Sequence, residues 1–315
     1  MNTCKAKLAV MLAAVMMLAA TAGSALAGSD SLVSIDWLAK NLNKSNVVIL
    51  AVGDFTHYEK NHIPGAVKAF GPWQTMNDQF VGFMMPKTDD LVSMLRGYGV
   101  NNNSKIVVYD EGITAMDTCR SARALWTLHV LGHDDVAILD GGFAAWEQSG
   151  KDVTSKATVP TSAGDFTAKM VAGKVASIDE VAKKIGSGTV FLDNRGTAEF
   201  FGHEKKSHIK RYGHLPNARV LPANYMSNAG IELSPAFMKD TNVLAQMVAG
   251  AGIPADKNAE IITYSNHGLQ AAMGYFVLHD LLGYNNVKIF DGSILEAAPN
   301  KKIPLEKFAM GYMKK

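Results

Sequence analysis

Short apolar runs alternate with amphipathic segments through most of the chain, and this alternation is the first guide to its fold. The apolar runs are VVIL, KIVVY and VAIL in the first half, and TVFL, EIITY and VKIF in the second. Each half also has a segment of helical periodicity, at 121–132 and at 271–283. Apolar strands separated by helices are typical of a parallel sheet covered on both faces. The pattern therefore predicts an α/β architecture that occurs twice.

The two halves share short motifs in the same order, which indicates an internal repeat. SID occurs once in each half, and an H-x-P turn at His62 recurs at His214. IVVYD, which ends at Asp110, recurs as IITYS, which ends at Ser265. LGHDDVAILDGG in the first half corresponds to LGYNNVKIFDGS in the second. Such ordered matches predict two homologous domains, each a parallel sheet flanked by helices.

The repeat also sets the expected domain boundaries. We expect an N-terminal domain over 28–150 and a C-terminal domain over 171–315. Segment 151–170 between them is rich in Thr, Ser, Ala and Lys and has no sustained apolar period, which is typical of a linker. A chain of 315 residues has the length of two ordinary domains.

The N-terminus has the pattern of a secretory signal peptide. Lys5 and Lys7 precede an apolar run, and small residues then lead to an A-x-A site that ends at Ala27. The run is shorter than the roughly 20 residues that a membrane-spanning helix needs. We therefore expect residues 1–27 to be removed, which leaves a soluble periplasmic or secreted protein without a membrane span. Removal of Cys4 leaves Cys119 as the single thiol.

Composition and charge exclude some classes of partner. The chain is 48% hydrophobic and 19% charged, which is typical of a folded globular protein. A formal net charge of +2 is too small to indicate a nucleic acid partner. No pattern in the sequence predicts a cofactor.

The segment ITYSNHGLQAA, at 261–271, predicts a strand, a short polar loop and the start of a helix. A loop of this kind directs several backbone N–H groups toward one point, and the following helix adds the positive end of its dipole. Ser265 stands where the backbone leaves the strand. We expect the loop to bind a small anion.

Taken together, these motifs resemble those of tandem-domain rhodanese sulfurtransferases, and the resemblance covers about residues 31–300. In that family the second domain is usually the active one. Its loop begins with a cysteine, which takes the sulfane sulfur of thiosulfate as a persulfide and passes it to a thiophilic acceptor such as cyanide. The loop N–H groups stabilise the thiolate and the anionic substrate.

This sequence departs from the family pattern at the position of that cysteine, where it has Ser265. A hydroxyl has a much higher pKa than a thiol, and its oxygen forms no comparable bond to sulfane sulfur. Gln270 also stands where many family members have arginine. We expect persulfide transfer to be impaired or lost, while the loop still binds thiosulfate or a related oxyanion such as selenite or tellurite. The expected anion-binding residues are Ser265, Asn266, His267, Gly268, Leu269, Gln270, Arg195 and Asp193.

Arg195 has two interpretations. It follows the strand TVFLDNR, where the resemblance implies an Asp-x-Arg near the site, and a guanidinium can present paired donors to an oxyanion. Arg195 could equally form a salt bridge with a carboxylate of its own domain.

Cys119 offers an alternative thiol in the first domain. Aligning Gly132 with Gly283 places Cys119 opposite Gln270, near the start of a helix whose dipole would lower the pKa of a thiol. The opposing interpretation is a packing cysteine. Asp110 begins the corresponding first-domain loop, and its negative charge argues against an anion site there.

Three hypotheses therefore follow from the sequence: an oxyanion-binding protein, an active sulfurtransferase or chalcogen-oxyanion reductase using Cys119, and a non-catalytic interaction module of a periplasmic redox assembly. The expected protein partner is a periplasmic redox or thiol protein. His203, Glu204 and His208 lie in one polar segment, but their spacing matches no tight metal-ligand motif. The sequence predicts no metal site.

Overall fold

The computed structural model describes residues 31–53, 58–79, 81–228 and 234–310. The predicted signal peptide at 1–27 lies outside the described residues. Among the residues that are described, no helix has both the length and the apolar character that crossing a membrane requires.

Two parallel sheets of five strands confirm the predicted α/β fold. The first contains β1 (Leu32–Val33), β2 (Val47–Ala51), β3 (Val67–Lys68), β4 (Lys105–Tyr109) and β5 (Val136–Leu139). The second contains β6 (Val175–Ala176), β7 (Val190–Asp193), β8 (Arg219–Val220), β9 (Ile261–Tyr264) and β10 (Val287–Phe290). The strand orders are β1-β5-β4-β2-β3 and β6-β10-β9-β7-β8, so both halves have the same topology.

Helices cover both sheets. In the first domain they are α1 (Ile35–Asn41), α2 (Thr88–Gly97), α3 (Ala115–Val130) and α4 (Gly142–Gln148). In the second domain they are α5 (Ile178–Lys184), α6 (Thr197–Phe201), α7 (Thr241–Gly250), α8 (Leu269–Tyr275) and α9 (Ser293–Ala297). A π-helical turn, Phe276–Leu281, continues α8, and 3-10 turns occupy Ala172–Lys174 and Ala223–Tyr225.

The motifs that repeat in sequence have structural roles. Ser34 and Ser177 are N-caps, because the hydroxyl of each accepts a hydrogen bond from a backbone N–H in the first turn of its helix, α1 or α5. His62 and His214 are buried, and Nδ1 of each contacts a backbone carbonyl at 2.7 Å. Cap and turn chemistry thus explains why these residues recur.

The two domains join through α3 and α8, which pack against each other. The largest core cluster includes Leu125 and Trp126 of α3 together with Met273, Tyr275 and Phe276 of the second domain. Burial of large apolar side chains from both partners makes this contact a shared core. The carboxyl end of β9 and the beginning of α8 consequently lie close to the first domain.

The predicted linker, 151–170, packs along the first domain. Thr154 forms an antiparallel bridge with His62, and the carbonyl of buried Phe166 accepts a hydrogen bond from Arg96 Nε at 2.8 Å. These hydrogen bonds satisfy backbone groups of segment 151–170 and hold the segment against the first domain.

Asp110 fills the loop that follows β4. Its Oδ1 accepts a hydrogen bond from the N–H of Gly112 at 2.8 Å, and Ser121 Oγ donates to its Oδ2. Burial is the main cause that raises the pKa of Asp110 to about 7. The Asp110 carboxyl group therefore fills the interior of its own loop and accepts a hydrogen bond from the loop backbone.

Replacing Asp110 with asparagine should change how stability depends on pH. In the folded chain the pKa of the Asp110 carboxyl group is about 7, whereas its ordinary value is 3.8, so folded Asp110 keeps its proton to a higher pH. Unfolding therefore releases a proton between these two values, and stability falls as pH rises through this range. Asp110→Asn should lose this component, so the variant gains stability relative to the natural chain as pH increases. Denaturant unfolding at pH 4, 5.5 and 7 measures the difference, and parallel curves for the two proteins would contradict the assignment.

Candidate functional site

The loop 265–268 connects β9 to α8 at the carboxyl edge of the second sheet. Gly268 caps α8 with a left-handed φ of 79°, a conformation that glycine adopts without steric cost. This edge is where ligands bind in open α/β sheets. The strand, loop and helix therefore lie as the sequence predicts.

The hydroxyl of Ser293 forms hydrogen bonds with the backbone of this loop. It accepts hydrogen bonds from the N–H groups of Ser265, at 3.1 Å, and Gly268, at 3.0 Å, and it donates to the carbonyl of Phe290 at 2.7 Å. Ser293 has a φ of 51°, as the first domain's Gly142 has a φ of 57°. The sequence analysis missed Ser293, although the repeat of DGG as DGS marks the position.

Ser265 and Asn266 are both buried at the start of the loop. Asn266 Nδ2 donates to Glu199 Oε1 at 2.7 Å, whereas its Oδ1 has no partner among the described residues. The Asn266 side chain therefore faces a carboxylate, and only the backbone of this residue suits an anion.

His267 lies under a segment of the first domain. The ring of Phe83 stacks on its imidazole with centroids 4.4 Å apart, and Gln74 Nε2 donates to its carbonyl at 2.8 Å. Burial, the largest cause, lowers the pKa of His267 below its ordinary value. At neutral pH the imidazole is therefore uncharged and supplies no cation to the loop.

Leu269 and Gln270 begin α8 and are partly exposed. Leu269 borders a cavity of about 250 Å³ between the two domains. Its other lining residues all belong to the first domain: Gly53, Phe70, Pro72, Trp73, Gln74, Arg120 and Arg123. The first residue of α8 thus borders a cavity that is also lined by two arginines from α3.

Arg123, which the sequence analysis did not single out, lies against the backbone of the loop together with Asp291. Its Nη1 forms a buried ion pair with Oδ1 of Asp291, and both groups lie against Gly268. Nε and Nη2 of Arg123 are buried without a hydrogen-bond partner among the described residues. The guanidinium lies over the Trp126 ring, 4.5 Å from its centroid, and burying Nε and Nη2 unpaired costs free energy that an acceptor in the adjoining cavity would offset.

Arg195 and Asp193 bind each other. Arg195 Nε donates to Asp193 Oδ1 at 3.0 Å, and Nη2 donates to Oδ2 at 2.6 Å and to the carbonyl of Gly213 at 2.8 Å. Both side chains are buried. Of the two interpretations of Arg195, the geometry favours the salt bridge, because Asp193 already neutralises the guanidinium.

Cys119 is a packing cysteine. It is the fifth residue of α3, lies 1% exposed in the core, and burial raises the pKa of its thiol well above the ordinary value. Thr114 caps α3 in a capping box with Asp117, which places Cys119 beyond the first turn, so of its two interpretations the structure favours the packing cysteine over a thiol with a lowered pKa. A neutral buried thiol is a poor nucleophile.

The polar segment around His203 is held by backbone contacts. Arg211 binds four carbonyls near the C-terminus, including that of Ala298 at 2.5 Å. His214 stacks on Phe200 with centroids 3.8 Å apart. Arg211 and His214 thus stabilise this region, and His203 is exposed on its surface.

Comparison with known proteins agrees with this geometry. The family model of the Rhodanese-like domain matches residues 34–149 and 177–298. A Saccharopolyspora erythraea protein, named as a thiosulfate sulfurtransferase, is 30% identical over 284 residues, which cover 88% of this chain and 96% of the relative. SseA from Escherichia coli, described with the fold and mechanism of 3-mercaptopyruvate sulfotransferases, superposes with a TM-score of 0.69 at 26% identity, over 83% of this chain and 98% of its own.

A third comparison concerns the fold alone. An anaerobic ergothioneine biosynthesis enzyme from Chlorobium limicola superposes with a TM-score of 0.75 at 18% identity, and it covers 89% of this chain and 71% of its own.

The family model and the curated relative each match most of the chain. This chain therefore belongs to the rhodanese-like family and carries two copies of its domain.

Proposed function

We propose that this chain binds a small oxyanion of sulfur at the loop 265–270 and does not form a persulfide there. Thiosulfate is the ligand that we propose first, with selenite and tellurite as related oxyanions of similar charge. The observation that carries the proposal is Arg123, which lies beside Gly268 through Nη1, borders the cavity, and has two buried donors, Nε and Nη2, without a hydrogen-bond partner among the described residues.

The loop supplies the neutral part of the binding site. Ser293 engages the N–H groups of Ser265 and Gly268 from behind, which keeps the loop open. The N–H groups at the start of α8 have no partners within the helix, and the helix dipole adds positive potential at the same end. Such N–H groups bind anions in many proteins.

The first domain supplies the charge. Asp291 binds only one edge of the Arg123 guanidinium, which leaves Nε and Nη2 as donors for a ligand. A guanidinium presents its donors in a planar fork that matches an oxyanion. The adjoining cavity of about 250 Å³ gives room for an ion of this size.

The absence of a thiol explains why binding would not lead to transfer. Ser265 stands at the start of the loop, and its hydroxyl is protonated at neutral pH. Cys119 is buried in the core and has a raised pKa. In the exported protein that the N-terminal sequence predicts, the bound oxyanion would be retained for delivery to a periplasmic redox or thiol protein.

Thiosulfate should raise the melting temperature of the chain, because a ligand that binds only the folded state stabilises it. Asp291→Asn should increase this shift, since Arg123 then lacks its carboxylate partner. The double variant Arg123→Gln, Asp291→Asn removes both charges and should abolish the shift while avoiding an unpaired buried charge. Glu147→Gln, an exposed acid on α4, controls for net charge. An unchanged shift in the double variant, or no shift in the natural chain, would contradict the proposal.

Ser265→Cys should convert the binding site into a sulfurtransferase site. Its thiolate would attack the sulfane sulfur of thiosulfate and release sulfite, and cyanide would then take that sulfur as thiocyanate. We expect thiocyanate formation at least about tenfold above that of the natural chain and of Ser265→Ala. Turnover by the natural chain that persists in Ser265→Ala would count against the proposal.

Gly268→Ala should test the close approach of Arg123 and Asp291 to the loop. A β-carbon at Gly268 would lie 2.8 Å from Arg123 Nη1 and from Asp291 Oδ1, whereas one at Gly186 would meet nothing within 4 Å. Both glycines have positive φ, so both variants should lose about 1–2 kcal/mol to backbone strain. Gly268→Ala should lose at least about 1 kcal/mol more, because the buried ion pair must move. Equal losses in denaturant unfolding would exclude the close contact.

A further inference from the structure

Two imidazoles and a carboxylate meet at the domain interface, away from the loop. His129 lies near the end of α3, and His279 and Asp280 lie in the π-helical turn after α8. His279 is ten residues beyond Leu269, or about 15 Å along a helix. π-Helical turns are rare, and they occur frequently at functional sites. The three side chains do not contribute to the oxyanion site.

Their ligand atoms converge. His129 Nε2 lies 3.8 Å from Asp280 Oδ1, and His279 Nδ1 lies 3.4 Å from Asp280 Oδ2. One ligand atom from each residue falls within 4.8 Å of the others. Ligand atoms of a tetrahedral zinc site, at about 2.1 Å from the metal, lie about 3.4 Å apart. Small side-chain shifts would therefore bring all three atoms into coordination.

Two of these atoms lack partners in the protein. Among the described residues, His279 Nδ1 and Asp280 Oδ2 are buried without a hydrogen bond. The Asp280 side chain is only 4% exposed. A buried carboxylate oxygen and a buried imidazole nitrogen normally have partners. Their mutual orientation is that of two ligands around a cation.

The second nitrogen of each imidazole, the one not directed at Asp280, contacts another side chain. His129 Nδ1 lies 3.2 Å from the hydroxyl of Tyr275, which leaves Nε2 directed at Asp280. His279 Nε2 lies 3.1 Å from Lys174 Nζ and accepts a hydrogen bond from the ammonium, so Nδ1 carries the ring proton toward the same carboxylate, and a cation bound at Nδ1 would displace that proton. Metal-binding histidines typically use one nitrogen for the metal and the other for an orienting contact.

Charged groups of both signs act on the cluster: carboxylates attract a cation, and a lysine competes with it. Asp280 is the carboxylate within the cluster, and the charge of Asp134 also acts on His129. Lys174 is the opposing charge, and its Nζ also lies 3.0 Å from the Tyr275 hydroxyl. The lysine would compete with a bound cation.

We propose that His129, His279 and Asp280 form a binding site for a divalent transition-metal ion that bridges the two domains. Two imidazoles and one carboxylate suit Zn²⁺ and its neighbours in the first transition row. Because His129 belongs to the first domain and the other ligands to the second, the ion links α3 to the π-helical turn. Water would complete the coordination.

Titration of the tag-free full chain with Zn²⁺ tests this site. We expect calorimetry to show one ion bound per chain and Zn²⁺ to raise the melting temperature. His279→Ala and Asp280→Asn should each weaken binding at least about tenfold. His279 is partly exposed, so its variant should fold, which circular dichroism checks. The visible spectrum of Co²⁺ in place of Zn²⁺ reports the coordination geometry independently.

Two controls separate this site from surface binding. Lys174→Gln should tighten Zn²⁺ binding, because it removes the competing ammonium and leaves the ligands in place. His203→Gln, at an exposed imidazole, should leave the affinity unchanged. Absence of Zn²⁺ binding at micromolar concentration would overturn the proposal. So would an affinity that His279→Ala and Asp280→Asn leave unaltered while His203→Gln reduces it.

Discussion

A buried ion pair between Arg123 and Asp291 determines how the two domains meet at the candidate site. Both groups lie against Gly268, so the pair fixes the position of the loop relative to helix α3. Removing one partner of such a pair typically costs about 3–5 kcal/mol, because the other charge stays buried. The pair also brings a cation of the first domain to a loop of the second, where Asp193 already neutralises Arg195.

The two domains use the same loop geometry for different purposes. In the first domain, the Asp110 carboxylate accepts a hydrogen bond from the N–H of Gly112 in its own loop. In the second, Ser265 has the corresponding position, and the Ser293 hydroxyl engages the loop from behind. A carboxylate within the first loop opposes an anion, whereas a hydroxyl does not. One fold thus gives a first-domain loop that its own carboxyl group occupies and a second-domain loop at which we propose that an anion binds.

Local patterns were sufficient to predict the fold and the position of the loop. Strand and helix periodicity and the break at Gly268 depend on residues near one another in sequence. The partners of Arg123 and Arg195 could not be predicted in this way. Arg123 and Asp291 are 168 residues apart, and only the packed fold brings them together. The alignment of Gly132 with Gly283 misplaced Cys119 because α3 begins at Ala115, 132 − 115 = 17 residues before the first glycine, whereas α8 begins at Leu269, 283 − 269 = 14 residues before the second.

The central claim is that loop N–H groups and Arg123 bind one small oxyanion together. A crystal soaked in selenite tests this claim directly, because anomalous scattering locates selenium. The account predicts one strong peak at the loop, with ligand oxygens within hydrogen-bond distance of the N–H groups of residues 266, 267, 269 or 270 and of Arg123 Nε or Nη2. A loop without a peak at a saturating concentration, or selenium bound only at surface lysines, would contradict it.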